Sequence, residues 1–257
     1  MTTVRAEDRD GNVRLLTLDR PPANAIDESL LRDLSLAVRG AQEDEAVRAI
    51  VLTGAGKFFS GGLDLVAAMS RGDEQVPLFR DLFRDAFLEL LTLPKPTIAA
   101  MNGHAIAGGL ILALACDFRF AVDRDCFVGL NEVAIGASFP KVAFETARLR
   151  LTHGQATEVL LGAAIYPVTE GVRLGVVDEL LAPEALEETV LDRAARLATF
   201  PREAYAYTKA ALIAEAVERV KAETPEEAAR GAAVWTTGES RAAMGRQLQR
   251  LGKQQPT

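Results

Sequence analysis

The chain of 257 residues is poor in the residues that bind metals or cross-link folds. It has two cysteines, Cys116 and Cys126, both in apolar settings. They read as buried, reduced thiols of a cytoplasmic protein. The histidines are also two, His104 and His153, and no Cys/His cluster has metal-ligand spacing. Nothing therefore points to a zinc, haem or iron–sulfur site, and no metal is expected. Basic charge is scarce too: 29 Lys and Arg stand against 36 Asp and Glu, for a net charge of -7. That balance argues against general affinity for nucleic acid or anionic membranes. No apolar run approaches the roughly 20 residues of a membrane span. Residues 1–7 contain no apolar signal-peptide core. Fixed-period repeats, low-complexity segments and true linkers are missing as well. Apolar residues, in contrast, make up 49% of the chain, ample for a core, and the length fits one large domain or one domain plus an appendage.

The pattern is α/β to about residue 135 and mostly helical beyond. Residues 13–19 alternate well enough for a strand, and Arg20-Pro21-Pro22 ends it. Asp27 is a candidate N-cap for a helix to about Glu43, with Leu30, Leu31, Leu34, Ala37 and Val38 on one face. Residues 49–53 form a short buried strand. A helix after Leu65 breaks near Gly72, and 77–91 is an amphipathic helix ended by Pro94 and Pro96. Strands are expected at 118–122, 126–130 and 176–180. Helices are expected at about 140–151, 154–162, 169–174, 184–199, 202–222 and 226–236. The polar stretch 238–257 reads as an arm or tail.

The chain is organised around residues 97–117. An apolar strand ends at Met101, a glycine-bearing turn follows, and an uncharged helix runs on to Asp117. The start of that helix, near Gly108 and Gly109, leaves backbone N–H groups free for a developing negative charge. A second glycine-rich junction, Gly54 to Leu65, follows the 49–53 strand. Neither junction matches a phosphate-cradling loop or a dinucleotide fingerprint. Two strand-turn-helix junctions that each aim one N–H into a common cleft would make an oxyanion hole.

Lys57-Phe58-Phe59-Ser60-Gly61-Gly62-Leu63-Asp64-Leu65 and Asn102-Gly103-His104-Ala105-Ile106-Ala107-Gly108-Gly109 resemble the two signature segments of the crotonase superfamily, the enoyl-CoA hydratase/isomerase family. The similarity runs from the Arg20 to Ala25 turn through Gly175-Val176-Val177-Asp178 and into the C-terminal helices. The resemblance implies an α/β fold, a spiral of repeated ββα units over residues 1–195, with a helical trimerisation region over 196–257. It implies an acyl-CoA thioester substrate, no cofactor beyond the substrate's own coenzyme A, and a homotrimer or a dimer of trimers. Carried over, the oxyanion-hole donors are the N–H groups of Leu63 and Gly108. Gly61, Gly62, Asp64, Leu65 and Gly109 border the ligand, the adenine end lying against 62–65. The turn Ala23, Asn24, Ala25 lines the pantetheine path.

In this resemblance, hydratases carry two glutamates. One lies three residues after the second oxyanion-hole glycine, where this chain has Ile111. The other corresponds to Glu132. Adding water to a double bond uses two acid/base groups, whereas a 1,3-proton shift needs one base that takes a proton from C2 and returns it to C4. A well-placed general base contributes about 10²–10⁴ in rate, and one hole donor about 10²–10³. Ile111 beside the reacting carbons would exclude water and raise the Glu132 pKa toward neutrality. Residues 126–132 and the Ala107-Gly108-Gly109 turn resemble 3,2-trans-enoyl-CoA isomerases more than hydratases, and residues 136–140 lack the glycine pair of hydratases. The alternatives are a hydratase with a second group from elsewhere, another CoA-thioester reaction, and a non-catalytic or RNA-associated protein of the same fold. His104 is expected to pack rather than react, and Asp64 to order its loop. Trp235 is expected in the core or interface of the terminal helices, and Lys209 and Lys221 on a solvated helix face, the alternative being contact with CoA phosphates.

Overall fold

A computed structural model describes residues 2–253, without the side chains of Asp73, Leu251 and Lys253. The chain opens with the antiparallel hairpin β1 (Val4–Arg9) and β2 (Val13–Leu18). Helix α1 (Glu28–Glu43) follows. The Asp27 carboxylate caps it by accepting from the Leu30 N–H at 2.9 Å, and Leu30, Leu31, Leu34 and Val38 are buried.

Three ββα turns come next. The first is β3 (Ala49–Gly54), β4 (Phe58–Ser60) and the helices α2 (Leu65–Ser70) and α3 (Val76–Thr92). The second is β5 (Thr97–Met101), β6 (His104–Ile106) and α4 (Gly108–Ala115). The third is β7 (Phe118–Val122), β8 (Phe127–Gly129) and α5 (Lys141–Arg150). The first strand of each turn joins one sheet, of order β1-β2-β3-β5-β7-β10, and the second strand joins a smaller sheet, of order β4-β6-β8-β9. Pairing within the β2-β3-β5-β7-β10 run is parallel throughout. Strand β5 is therefore buried along its whole length and β3 nearly so, as parallel strands covered on both faces are.

Helix α6 (His153–Ala156) continues as a wider turn over Thr157–Leu161, and β9 (Ile165–Pro167) pairs antiparallel with β8. Strand β10 (Glu179–Leu181) closes the large sheet beside β7. Four helices end the chain: α7 (Leu186–Ala198), α8 (Arg202–Lys221), α9 (Pro225–Trp235) and α10 (Gly238–Lys253). Among the described residues, no helix is long and apolar enough to cross a membrane. Both cysteines are free and buried.

Several expectations are corrected. Residues 169–174 are not a helix but a short 3-10 turn and further turns. The strand expected at 176–180 begins at Glu179, because the N–H groups of Val176 and Val177 both bond the Gly171 carbonyl and close a turn. The polar stretch from 238 is helix α10 as far as Lys253, anchored by buried Ser240 and Met244; residues 254–257 lie outside the described residues. Lys209 is not on a solvated face: it is 6% exposed and ion-paired with Asp117, whereas Lys221 is exposed.

Candidate active site

Two tight junctions, one after β4 and one after β6, meet edge to edge. Gly62 has φ +81, and a β-carbon there would stand 2.7 Å from the Ile106 carbonyl and 3.1 Å from the Gly108 nitrogen. Gly109 lies so close to Ser60 that a β-carbon would meet its carbonyl at 2.2 Å. Only glycine fits either place. Ala107 precedes α4 with φ 51 and ψ -130, a conformation seldom adopted by a residue with a side chain. It turns the chain so that α4 begins at Gly108. A β-carbon on Gly108 would be 3.7 Å from the Leu63 nitrogen, so the two N–H groups are neighbours. Among the described residues, neither donates to a protein acceptor, while Leu110 and Ile111 already bond the Ala107 carbonyl. The helix dipole adds to the positive potential at this spot.

The turn Ala23, Asn24, Ala25 forms the rim of this loop. Gly61 N–H donates to the Ala23 carbonyl at 2.8 Å, Ser60 Oγ to the Asn24 carbonyl at 2.8 Å, and Ile26 N–H to the Gly62 carbonyl at 2.7 Å. Asn24 is 1% exposed. Its amide donates to the Ala55 and Phe58 carbonyls at 3.0 and 2.8 Å, and its oxygen accepts from Arg20 N–H. Asn24 thus holds the loop from beneath, leaving partly exposed Ala23 and Ala25 to face outward. Asp64 accepts from the Ala67 N–H at 3.0 Å as the cap of α2, and from Arg20 Nη2 at 2.7 Å. These bonds hold its carboxyl below the usual range against the opposing effect of burial. It orders its loop, as expected, and Leu65 begins the helix it caps.

Glu132 follows β8 on a short 3-10 turn, Val133–Ile135, that ends in Gly136 with φ 79. It is 8% exposed, and among the described residues its Oε2 finds no hydrogen-bond partner. Desolvation raises its pKa from 4.5 to about 8. A buried carboxyl oxygen without a partner costs a fold stability, and such groups cluster at functional sites. Ile111, on α4, is fully buried. His104 accepts from the Phe127 N–H through Nδ1 at 3.2 Å and lies between the Phe58 and Phe127 rings. Burial and the nearby Arg124 charge push its pKa down, so it is a neutral, packed side chain. A cavity of about 410 Å³ opens beside the Glu132 turn, lined by Asn131, Ile135, Ile165, Ala243 and Arg246 among others.

The C-terminal helices also reach this region, which the sequence did not reveal. Ser138 Oγ donates to the Gly231 carbonyl and accepts from Trp235 Nε1, while Gly136 lies against Ser240 of α10. Among the described residues, no three His, Cys, Asp or Glu side chains are grouped to hold a metal ion.

The turns of ββα and the pair of free donors between them define a crotonase-type protein. The profile of the enoyl-CoA hydratase/isomerase family matches residues 8–248. A probable enoyl-CoA hydratase of Mycobacterium avium is 31% identical over 206 residues, 79% of this chain and 78% of its own. Human mitochondrial enoyl-CoA delta isomerase 1 is 27% identical over 79% of this chain and 68% of its own. The crystal structure of human mitochondrial delta3-delta2-enoyl-CoA isomerase superposes with a TM-score of 0.94 at 24% identity, covering 99% of this chain and 100% of that one, and shows the shared fold. The chain belongs to the enoyl-CoA hydratase/isomerase family.

Proposed function

We propose that the protein is a 3,2-trans-enoyl-CoA isomerase in which Glu132 is the single acid/base. The observation that carries this is one buried carboxyl whose Oε2 finds no partner among the described residues, on a chain whose other candidate position is the fully buried Ile111; desolvation pushes its pKa up to about 8. The thioester oxygen accepts from the N–H groups of Leu63 and Gly108. Ionised Glu132 takes a proton from C2, and the C–H electrons pass into a dienolate whose negative oxygen the two donors stabilise. The carboxylic acid so formed returns the proton to C4, the double bond settles between C2 and C3, and the carboxylate is regenerated. A pKa close to working pH suits a group that must both take and give a proton. Nothing in this cycle requires a water molecule.

The proposal includes no cofactor beyond the coenzyme A of the substrate, a cytoplasmic location, and a homotrimer or pair of trimers. Exposed Phe144, Tyr207, Leu212 and Val234 on the helical half support contact between copies.

A paired assay tests the reaction. Purified protein is given trans-3-hexenoyl-CoA in one cuvette, followed for the rise of conjugated enoyl absorbance, and crotonyl-CoA in another, followed for its loss. Isomerisation without hydration, abolished by Glu132→Gln, is the expected result. Brisk hydration of crotonyl-CoA by the wild type would overturn it.

A further inference from the structure

The C-terminal end of α4 runs into a buried group of charges. Asp117 lies two residues past the helix, and its Oδ2 accepts from Lys209 Nζ at 2.9 Å, Tyr205 Oη at 2.9 Å and Thr97 N–H at 3.0 Å. Its Oδ1 faces Arg150 Nη2 at 3.6 Å. Arg150 Nε donates to the Leu114 carbonyl at 3.0 Å, and Arg119 donates to the Cys116 carbonyl at 3.3 Å while pairing with Asp178. Two of the carbonyls left free at the end of α4 are thus satisfied by guanidinium groups. The group holds three cations, Lys209, Arg119 and Arg150, to two carboxylates. The surplus positive charge sits at the negative end of the α4 dipole.

Stability alone is a weak reason for this arrangement. Burying an ion pair takes two charges out of water, and well-packed apolar residues often serve the fold as well or better. What the ion pair supplies and a leucine could not is direction. Lys209 and Tyr205 stand one turn apart on α8 and grip one oxygen of Asp117, whose own N–H bonds Thr97 on β5. The corner between α4 and β7 is therefore fixed to α8, α5 and β5 at once. Helix α4 is a rod of eight residues, roughly 12 Å long. Its other end begins with Gly108.

We propose that Lys209 is a positioning residue for the family's chemistry: through Asp117 it fixes the C-terminal end of α4, and so the direction in which the Gly108 N–H meets the thioester oxygen. The inference rests on Gly108 as an oxyanion donor and does not depend on whether the reaction is isomerisation or hydration. Removing Lys209 leaves the Asp117 carboxylate buried beside the negative end of the helix, where it repels the dipole and moves the corner.

The test uses the full chain and three variants, Lys209→Met, Lys209→Arg and the double variant Asp117→Asn with Lys209→Met. The double variant removes both members of the Lys209–Asp117 pair, leaves Arg150 bonded to the Leu114 carbonyl, and keeps the experiment decisive if Lys209→Met fails to fold. Each protein is examined for thermal midpoint, for kcat and KM, and for the enolate absorbance of bound acetoacetyl-CoA. The enolate is a stable oxyanion and reports on the donor pair without turnover. Complete loss of a hole donor costs about 10²–10³ in rate, so misdirection of one is expected to lower kcat about tenfold with KM within about twofold. The enolate band should weaken in parallel, and Lys209→Arg should restore part of both. A folded Lys209→Met or double variant that melts earlier yet keeps wild-type kcat and the full enolate band overturns the inference. Absence of any enolate band in the wild type overturns the oxyanion-hole assignment with it. Hydration in place of isomerisation overturns only the proposed reaction, and the reduced band in the variants would still support Lys209.

Discussion

Trp235 Nε1 donates to Ser138 Oγ at 3.0 Å, and the same hydroxyl donates to the Gly231 carbonyl at 2.7 Å. One serine, six residues past Glu132, thus joins the loop of the candidate base to helix α9. Helix α10 then lies on the turn between them, with Ser240 against Gly136 and Met244 buried. The terminal helices hold the segment that carries the candidate base.

Ending the chain after Thr237 is therefore expected to remove activity without unfolding the spiral. Ile135 and Gly136 would lose their cover, and Glu132 would gain water and a lower pKa. We expect at least a tenfold fall in kcat/KM with most of the circular dichroism of the strands and earlier helices retained. Ser138→Ala should act in the same direction, destabilising by roughly 1 kcal/mol because the half-buried Gly231 carbonyl and Trp235 N–H both lose a partner. Thermal melts and steady-state kinetics on the two variants check this.

The pH dependence follows from Glu132. In the proposed reaction the base is ionised Glu132, whose pKa desolvation pushes up to about 8. The value of kcat/KM should rise about tenfold per pH unit below 8 and level off above it. Stability moves the other way. A carboxyl whose pKa is raised on folding binds its proton more tightly in the folded state, so its contribution is intact below pH 4.5 and is lost as pH rises to about 8. Glu132→Gln should therefore melt near the wild type at pH 4.5 and increasingly above it toward pH 8. Equal melting offsets at pH 5 and pH 8 would show that Glu132 is not held in its acid form by the fold.

His104 sits in the second signature segment, but its geometry is that of a spacer between two aromatic rings. Substituting glutamine keeps a polar group for the Phe127 N–H and removes the ring. The expected outcome is kcat within about threefold of wild type and a melting loss from the emptied space. A fall of 10² or more in kcat, with KM unchanged, would make His104 part of the chemistry.

What could be read from the sequence divides along physical lines. Strands β3, β5 and β7 and helix α1 were legible because buried runs, an Asp cap and a helical apolar face are local signals. Strand β1 was missed because it is a solvent-facing edge, with Arg5, Glu7 and Arg9 among its six residues. Strands β4 and β6 are three residues each, too short to show a period. The polar composition of α10 hid a run of good helix formers that its neighbours complete. The burial of Lys209 could not be seen from α8 alone, since its partner Asp117 lies 92 residues earlier. At the site, the two glycine junctions announced free backbone donors. Glu132, by contrast, stood out only through a resemblance, because a lone glutamate in a loop carries no local mark of burial.

Ala107 offers the clearest separation of strain from function. Its φ of 51 with ψ of -130 is ordinary for glycine and costs an alanine roughly 1–3 kcal/mol. Ala107 is 8% exposed, and burial of one methyl group returns only about 0.8 kcal/mol. Ala107→Gly is therefore expected to stabilise the protein, raising the thermal midpoint by a few degrees. The same change frees the residue that aims the Gly108 N–H, so the donor loses its fixed direction. A modest fall in kcat, several-fold at constant KM, should accompany the gain in stability. A variant more stable and equally active would mean that α4 alone holds the donor in place and that the strained alanine does nothing for it.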